Sequence, residues 1–156
     1  MFTHIHIYSY IIRYMGNTSS CSKINYEDVQ ECVQSSSSNN KPCLIINTIS
    51  PEHQSCLIKN TISIESEEKI VNEWLNKNTE INIIIYGKNS NDDKIYDKYN
   101  QLKNLGFSNV FIYPGGLFEW LLLQDIYGSE EFQTTSKELD ILKFKPKRVM
   151  GQLLLQ

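Results

Sequence analysis

The chain contains no alanine, no C-x-x-C pair and no apolar run of the roughly 20 residues that a membrane-spanning helix needs. It also lacks a basic excess: the formal charge is -3 and the isoelectric point near 5.6. Nothing therefore favours a phosphate backbone, and nucleic acid is not an expected partner. The four cysteines (Cys21, Cys32, Cys43 and Cys56) and the three histidines show no zinc-site spacing. No disulfide framework is implied either, and neither a metal nor a cofactor is expected. Missing alanine beside abundant Asn, Ile, Lys and Tyr points to AT-rich codon usage. What is present is enough for one domain, since 156 residues can bury a real core.

The first residues, Met1 to Tyr14, are apolar and aromatic but too short to cross a bilayer, and they lack the basic start and small-residue cleavage site of a secretory signal. Met15-Gly16-Asn17-Thr18-Ser19-Ser20 fits a myristoylation pattern if translation starts at Met15, and Cys21 is placed for a second acyl chain. Membrane attachment is expected only if Gly16 is acylated. The location is otherwise expected to be cytoplasmic.

From Ile24 onward the punctuation becomes regular. Asn25 as N-cap with Asp28 three residues later predicts a helix from Tyr26 to about Val33. After the polar run Ser35 to Asn40, Pro42-Cys43-Leu44-Ile45-Ile46 reads as a buried strand stopping at Asn47. Ser50-Pro51-Glu52 starts a short helix or turn, and a second small strand is expected around Thr61 to Ile64. Ser66 opens a helix with Ile70, Val71, Trp74 and Leu75 on one face, ending near Asn78. Ile81 to Tyr86, with three consecutive isoleucines, predicts a central parallel strand covered on both faces. A polar loop, Gly87 to Asp92, leads to a helix carrying Ile95, Tyr96, Tyr99 and Leu102, closed by Gly106. Val110 to Tyr113 is the next strand. Pro114-Gly115-Gly116 then turns into a helical segment, Leu117 to Leu123, too apolar all round for an open surface. The pattern is an α/β domain with a central parallel sheet, whose ligand edge lies at the loop after Tyr86. Three parts follow: an extension (1–23), the domain (24–128) and a tail (129–156).

The order and spacing of several segments resemble the rhodanese-like, or sulfurtransferase, family. Leu44 to Ile49 with Ser50-Pro51-Glu52 is similar to the family's strand ending in L-I-D-V-R followed by S-P-E-E, with Asn47 at the strand end. Cys56 to Ile64 sits where the family has G-H-I-P-G-A-I-N-I and keeps only the apolar positions. Gly106-Phe107-Ser108-Asn109-Val110 with Gly115-Gly116 and Trp120 keeps the spacing of G-F-x-N-V, four residues, G-G-x-x-x-W.

The resemblance also implies a loss. The family's active loop reads Y-C-x-x-G-x-R-S, and its cysteine carries sulfur as a persulfide. Gly87 stands at the cysteine, Ser90 at the glycine, Asp92 at the arginine and Asp93 at the serine, with Lys88, Asn89 and Asn91 between. Without a thiolate the covalent step has no nucleophile. Relatives that hydrolyse phosphate with a cysteine and an arginine on this loop are excluded by the same two positions. The acidic pair is expected at the loop's mouth, capping the next helix, and Lys88 is expected to be a solvated loop charge. The expectation is a non-catalytic module that binds another protein. The alternative is a sulfur or redox enzyme using a displaced thiol, with Cys56 the candidate; Cys32 and Cys43 read as structural. The tail carries Leu139, Ile141 and Leu142, then Lys143-Phe144-Lys145-Pro146-Lys147-Arg148. It either docks on an acidic partner or anionic surface, or wraps its own domain.

Overall fold

The computed structural model describes residues 20–35 and 42–150. Gly16, the apolar stretch before it and most of the Ser35 to Asn40 run lie outside the described residues. The first helix, α1 (Tyr26–Ser35), starts as its sequence dictates. Asn25 Oδ1 accepts the amides of Glu27 and Asp28 at 3.0 and 3.3 Å, and Asp28 Oδ2 accepts the Asn25 amide at 3.1 Å. This reciprocal cap satisfies donors that a helix start leaves open.

Three strands follow: β1 (Cys43–Asn47), β2 (Asn82–Tyr86) and β3 (Val110–Tyr113). They form one parallel sheet in the order β1-β2-β3, with Ile45 beside Ile84 and Ile84 beside Phe111. The isoleucine-rich β2 is central, as its unbroken apolar run requires. The crossovers are α2 (Ile64–Lys77) and α3 (Lys94–Leu105), and α4 (Gly116–Tyr127) follows β3. Short 3-10 turns span Pro51–His53 and Ile141–Phe144. Residues 22–24 run along the outer edge of β3, through Ile24 N to Ile112 O and Ile112 N to Ser22 O, both 2.9 Å.

Alternation along the strands divides the core in two. Ile45, Ile84, Tyr86 and Tyr113 face a cluster containing Val29, Leu117, Trp120, Phe132 and Phe144. Leu44, Ile46, Ile83, Ile85 and Ile112 face Val71, Ile95, Leu102 and Phe107. Helices therefore cover both faces. The α3 helix ends at Gly106, whose φ of 112° is open to glycine and strained for other residues.

Several sequence expectations need correction. Thr61 to Ile64 is not a strand: Thr61 makes a single parallel bridge to Ile45, and Ile64 already belongs to α2. Ser63, rather than Ser66, is the residue before that helix, and its hydroxyl bonds to Ser66 Oγ at 3.0 Å. Cys32 and Cys43 form a disulfide joining α1 to β1; their eleven-residue separation matches no motif, and only the packing of α1 beside β1 brings them together. The α4 helix runs beyond Leu123, and Leu122, Ile126 and Tyr127 are exposed despite its all-round apolar sequence.

Candidate functional site

In an open parallel sheet the carboxyl ends of the strands are where ligands bind, because loops diverge there and helix N-termini converge. Here that edge is held by residues 87–93, between Tyr86 and α3. The loop is tightly cross-linked. Asp92 Oδ2 accepts the Lys88 amide at 2.9 Å and the Thr48 hydroxyl at 3.3 Å, while Asp92 Oδ1 accepts the Lys94 amide at 3.2 Å. A Cβ built on Gly87 would lie 2.7 Å from Asp92 Cγ. The carboxylate thus fills the space where a side chain at position 87 would go. The acidic mouth expected from the sequence is only half present: Asp92 turns inward onto loop amides, which attract it as they would a bound anion, while Asp93 is exposed and makes no cap bond.

The floor of the site comes from α4. Leu117 N and Phe118 N donate to the carbonyls of Gly87 and Lys88 at 2.9 and 3.0 Å. Gly116 allows this approach: its φ is 65°, and a Cβ there would meet Gly87 O at 2.6 Å and Asn89 N at 3.0 Å. The opposite wall follows β1. Asn47 is buried, accepts from the Ile49 amide at 3.0 Å and exchanges amide bonds with Gln54, which fixes the turn leading to Pro51.

The roof comes from the tail. Phe144 is fully buried, and Asn89 Nδ2 donates to its carbonyl at 2.7 Å, while Asn89 Oδ1 accepts the Asn91 amide at 3.0 Å. Lys88 is half-buried with its ammonium 6.0 Å from the Phe144 ring centroid, so it is not the fully solvated charge expected.

The sequence matches the rhodanese-like domain family over residues 29–123, more than half of the chain. The chain belongs to the rhodanese-like domain family. Solved structures agree at the level of fold. A Saccharomyces cerevisiae homologue of single-domain rhodanese and the Cdc25 phosphatase catalytic domain, Ygr203w, is 15% identical with a TM-score of 0.57, covering 78% of this chain and 91% of that one. A second structure of Ygr203w, described as a yeast protein tyrosine phosphatase of the rhodanese family, is 15% identical with a TM-score of 0.54, covering 80% and 99%. The Alr3790 protein from Anabaena is 16% identical with a TM-score of 0.50, covering 77% and 97%. The search of curated proteins gives no match.

Within this rhodanese-like domain, only some of the residues singled out by motif lie at the loop. Gly87, Asn89, Asp92, Gly116 and, at one remove, Asn47 surround the loop. Gly106 and Phe107 terminate α3 on the far side of the sheet, where Phe107 is buried. Gly115 adjoins Glu119. Trp120 is buried under the tail, stacked edge-on against Phe132 at 5.0 Å with its Nε1 donating to Gln133 O at 3.2 Å. Cys56 does not approach the loop's surface: it is buried, its thiol points to the Ser136 carbonyl at 3.2 Å, and burial raises its pKa. Cys21 is partly buried and packs against the second core. Sequence reasoning did not single out Thr48 or the bond made by the Asn89 side chain, whereas buried Phe144 follows the alternative in which the tail wraps its own domain. Among the described residues no cluster has the makeup of a metal site, and no helix is long and apolar enough to cross a membrane.

Proposed function

We propose that this rhodanese-like domain is a non-catalytic binding or regulatory module. The carrying observation is the Asp92 carboxylate packed over Gly87, which leaves no nucleophile at the end of β2 and no space for one. Sulfur transfer of the family's kind needs a thiolate stabilised by loop amides; here the Lys88 and Lys94 amides are already engaged by Asp92. A displaced nucleophile is disfavoured by the same reasoning, because the Cys56 thiol is shut from solvent and held in its neutral form. The domain's partner is then another protein.

The test is direct. Incubated with thiosulfate and cyanide, the wild-type chain should give thiocyanate no faster than the uncatalysed mixture, and intact-mass spectra should show no gain of one sulfur. Thiocyanate formation by the wild type, abolished by Cys56→Ser, would replace the binding-module reading with the displaced-thiol enzyme.

A further inference from the structure

The α4 helix carries two apolar stripes and uses only one of them for the core. Leu117, Trp120 and Leu121 are buried on its inner side. On the outer side Leu122 and Ile126, one turn apart, are 40% and 69% exposed, and Phe118, one turn before Leu122, is only partly buried. Single exposed leucines are ordinary, but a continuous apolar stripe along a helix marks a contact face.

Charge is distributed unevenly along this stripe. Glu131 stands beyond the C-terminal end of α4, and its carbonyl accepts Gln30 Nε2 at 2.9 Å, which brings the exposed Glu27 and Glu31 of α1 to the same end. Asp125 and Glu130 are exposed there too, but they share a groove with Lys59 and Lys137 that balances their charge locally. At the N-terminal end, Phe118 N donates to Lys88 O at 3.0 Å, and the adjacent Asn89 holds the Phe144 carbonyl at 2.7 Å. The run Lys145-Pro146-Lys147-Arg148 therefore starts beside that end, with Lys145, Lys147 and Arg148 exposed. Among the described residues none of these three cations, and none of Glu27, Glu31 and Glu131, is in an ion pair. Three carboxylates stand at one end of the stripe and three cations at the other.

We infer that the outer face of α4 is a homodimer interface, in which two copies pack this helix antiparallel about a two-fold axis near Leu122. Phe118 of each copy then lies against Ile126 of the other. Antiparallel pairing sets the N-terminal end of one α4 at the C-terminal end of the other, so the tail cations of each copy meet Glu27, Glu31 and Glu131 of the second. A two-fold contact requires one patch to complement itself, and an apolar stripe with opposite charges at its two ends does so. Within one copy those ends are separated by a helix of 12 residues, about 18 Å, which exceeds the Debye length of about 8 Å at physiological salt, so they do not neutralise each other. The carboxylates at one end oppose an anionic membrane as the occupant. The chemistry of the Gly87 loop plays no part in this contact.

Sedimentation velocity of the full chain, from micromolar to near-millimolar concentration, should show a monomer–dimer equilibrium that weakens as salt is raised. Leu122→Glu combined with Ile126→Glu alters exposed positions only, so the variant should keep the wild-type urea midpoint while its dimer dissociates at least about tenfold more readily. Charge reversal tests the arrangement. A chain with Lys147→Glu and Arg148→Glu, and a second with Glu31→Lys and Glu131→Lys, should each be more weakly dimeric than the wild type, and an equimolar mixture of the two should recover association, because each reversed end then meets an opposite charge. A wild-type chain that stays monomeric throughout, or a dimer indifferent to the Leu122 and Ile126 changes, would overturn the interface, and a mixture that associates no better than its components would overturn the antiparallel two-fold. Monomers that sediment with phosphatidylcholine–phosphatidylserine vesicles, and lose that binding with Leu122→Glu and Ile126→Glu, would give the face to a membrane instead. The thiocyanate assay reads none of these, so failure of the binding-module reading and failure of the dimer are separately visible.

Discussion

An aspartate side chain takes up the space beside Gly87, and this single arrangement decides what substitution there can achieve. Gly87→Cys must expel the carboxylate from its bonds to Lys88 N and Thr48 Oγ1. The change should cost about 1–3 kcal/mol in urea unfolding, the penalty for leaving a partly buried donor unmatched. The new thiol, facing a displaced carboxylate, would have a raised pKa and repel an anionic donor. Thiocyanate formation should therefore stay at background, while Gly87→Cys with Asp92→Arg and Asp93→Ser should exceed it. Equal activity of the two variants would show that Asp92 is not the obstacle. Two buried tyrosines give a second, paired expectation. Tyr86 Oη takes the Ile58 amide at 3.2 Å and bonds to Thr61 Oγ1 at 2.9 Å, whereas the Tyr113 hydroxyl has no hydrogen-bond partner among the described residues. Tyr86→Phe should lose about 1–3 kcal/mol by orphaning the Ile58 amide, and Tyr113→Phe should be neutral or stabilising by up to about 1 kcal/mol. Which residue stood at position 87 was legible from motif spacing. That Asp92 turns inward was not, because its direction is set by Thr48, 44 residues away, and Asn89's role depends on a carbonyl 55 residues away.

Elements whose cause is local were legible almost to the residue. The cap at Asn25 and the apolar run of β2 each carry their own signal, and Gly106 closes α3 through a backbone angle that favours glycine. Elements set by neighbours were not. Thr61 lies extended beside β1 but pairs for one residue only, since the chain must turn into α2 at Ile64. The α4 helix is apolar on its inner face for packing, and its sequence alone does not show that Leu122 and Ile126 face outward. The Cys32–Cys43 link is likewise tertiary, and it carries a prediction for α1. Closing a loop between residues eleven apart in sequence should stabilise the fold by about 3 kcal/mol through the unfolded chain's lost entropy. Dithiothreitol should lower the urea midpoint of the wild type and leave that of Cys43→Ser unchanged. A reductant effect of equal size on both proteins would assign the stabilisation elsewhere. Disulfides persist in oxidising surroundings and are rare in the cytosol, so alkylation of freshly lysed native material reports on location as well: a cytosolic chain should be labelled at both Cys32 and Cys43.

At the scale of the whole molecule, one face of the sheet gathers three buried groups that make stability depend on pH. Tyr86, Tyr113 and Cys56 all belong to the cluster shared by α1, α4 and the tail. Burial raises the pKa of each; Thr61 and the Ile58 amide partly offset it for Tyr86, Ser136 partly offsets it for Cys56, and Glu119 adds to it for Tyr113. In the unfolded chain these groups release protons near their ordinary values of 9.0 for the thiol and 10.0 for the tyrosines, while the folded chain keeps them. The unfolded state then binds fewer protons, so stability is intact below those values and falls as pH rises above them. Each group contributes up to about 1.4 kcal/mol per pH unit between its unfolded and folded values. The acid side works in reverse and through the tail. Glu138 is held below its ordinary 4.5 by the Lys143 ammonium and then by the Asp140 amide, so its contribution is present above that value and fades as pH falls through the lowered one. Urea unfolding followed from about pH 8 to about pH 11 should show the alkaline decline, and Tyr113→Phe should make it shallower by about 1.4 kcal/mol per pH unit above pH 10. A variant whose curve ran parallel to the wild type's would mean that the Tyr113 hydroxyl keeps its ordinary pKa, and that its unpartnered oxygen has found water in solution.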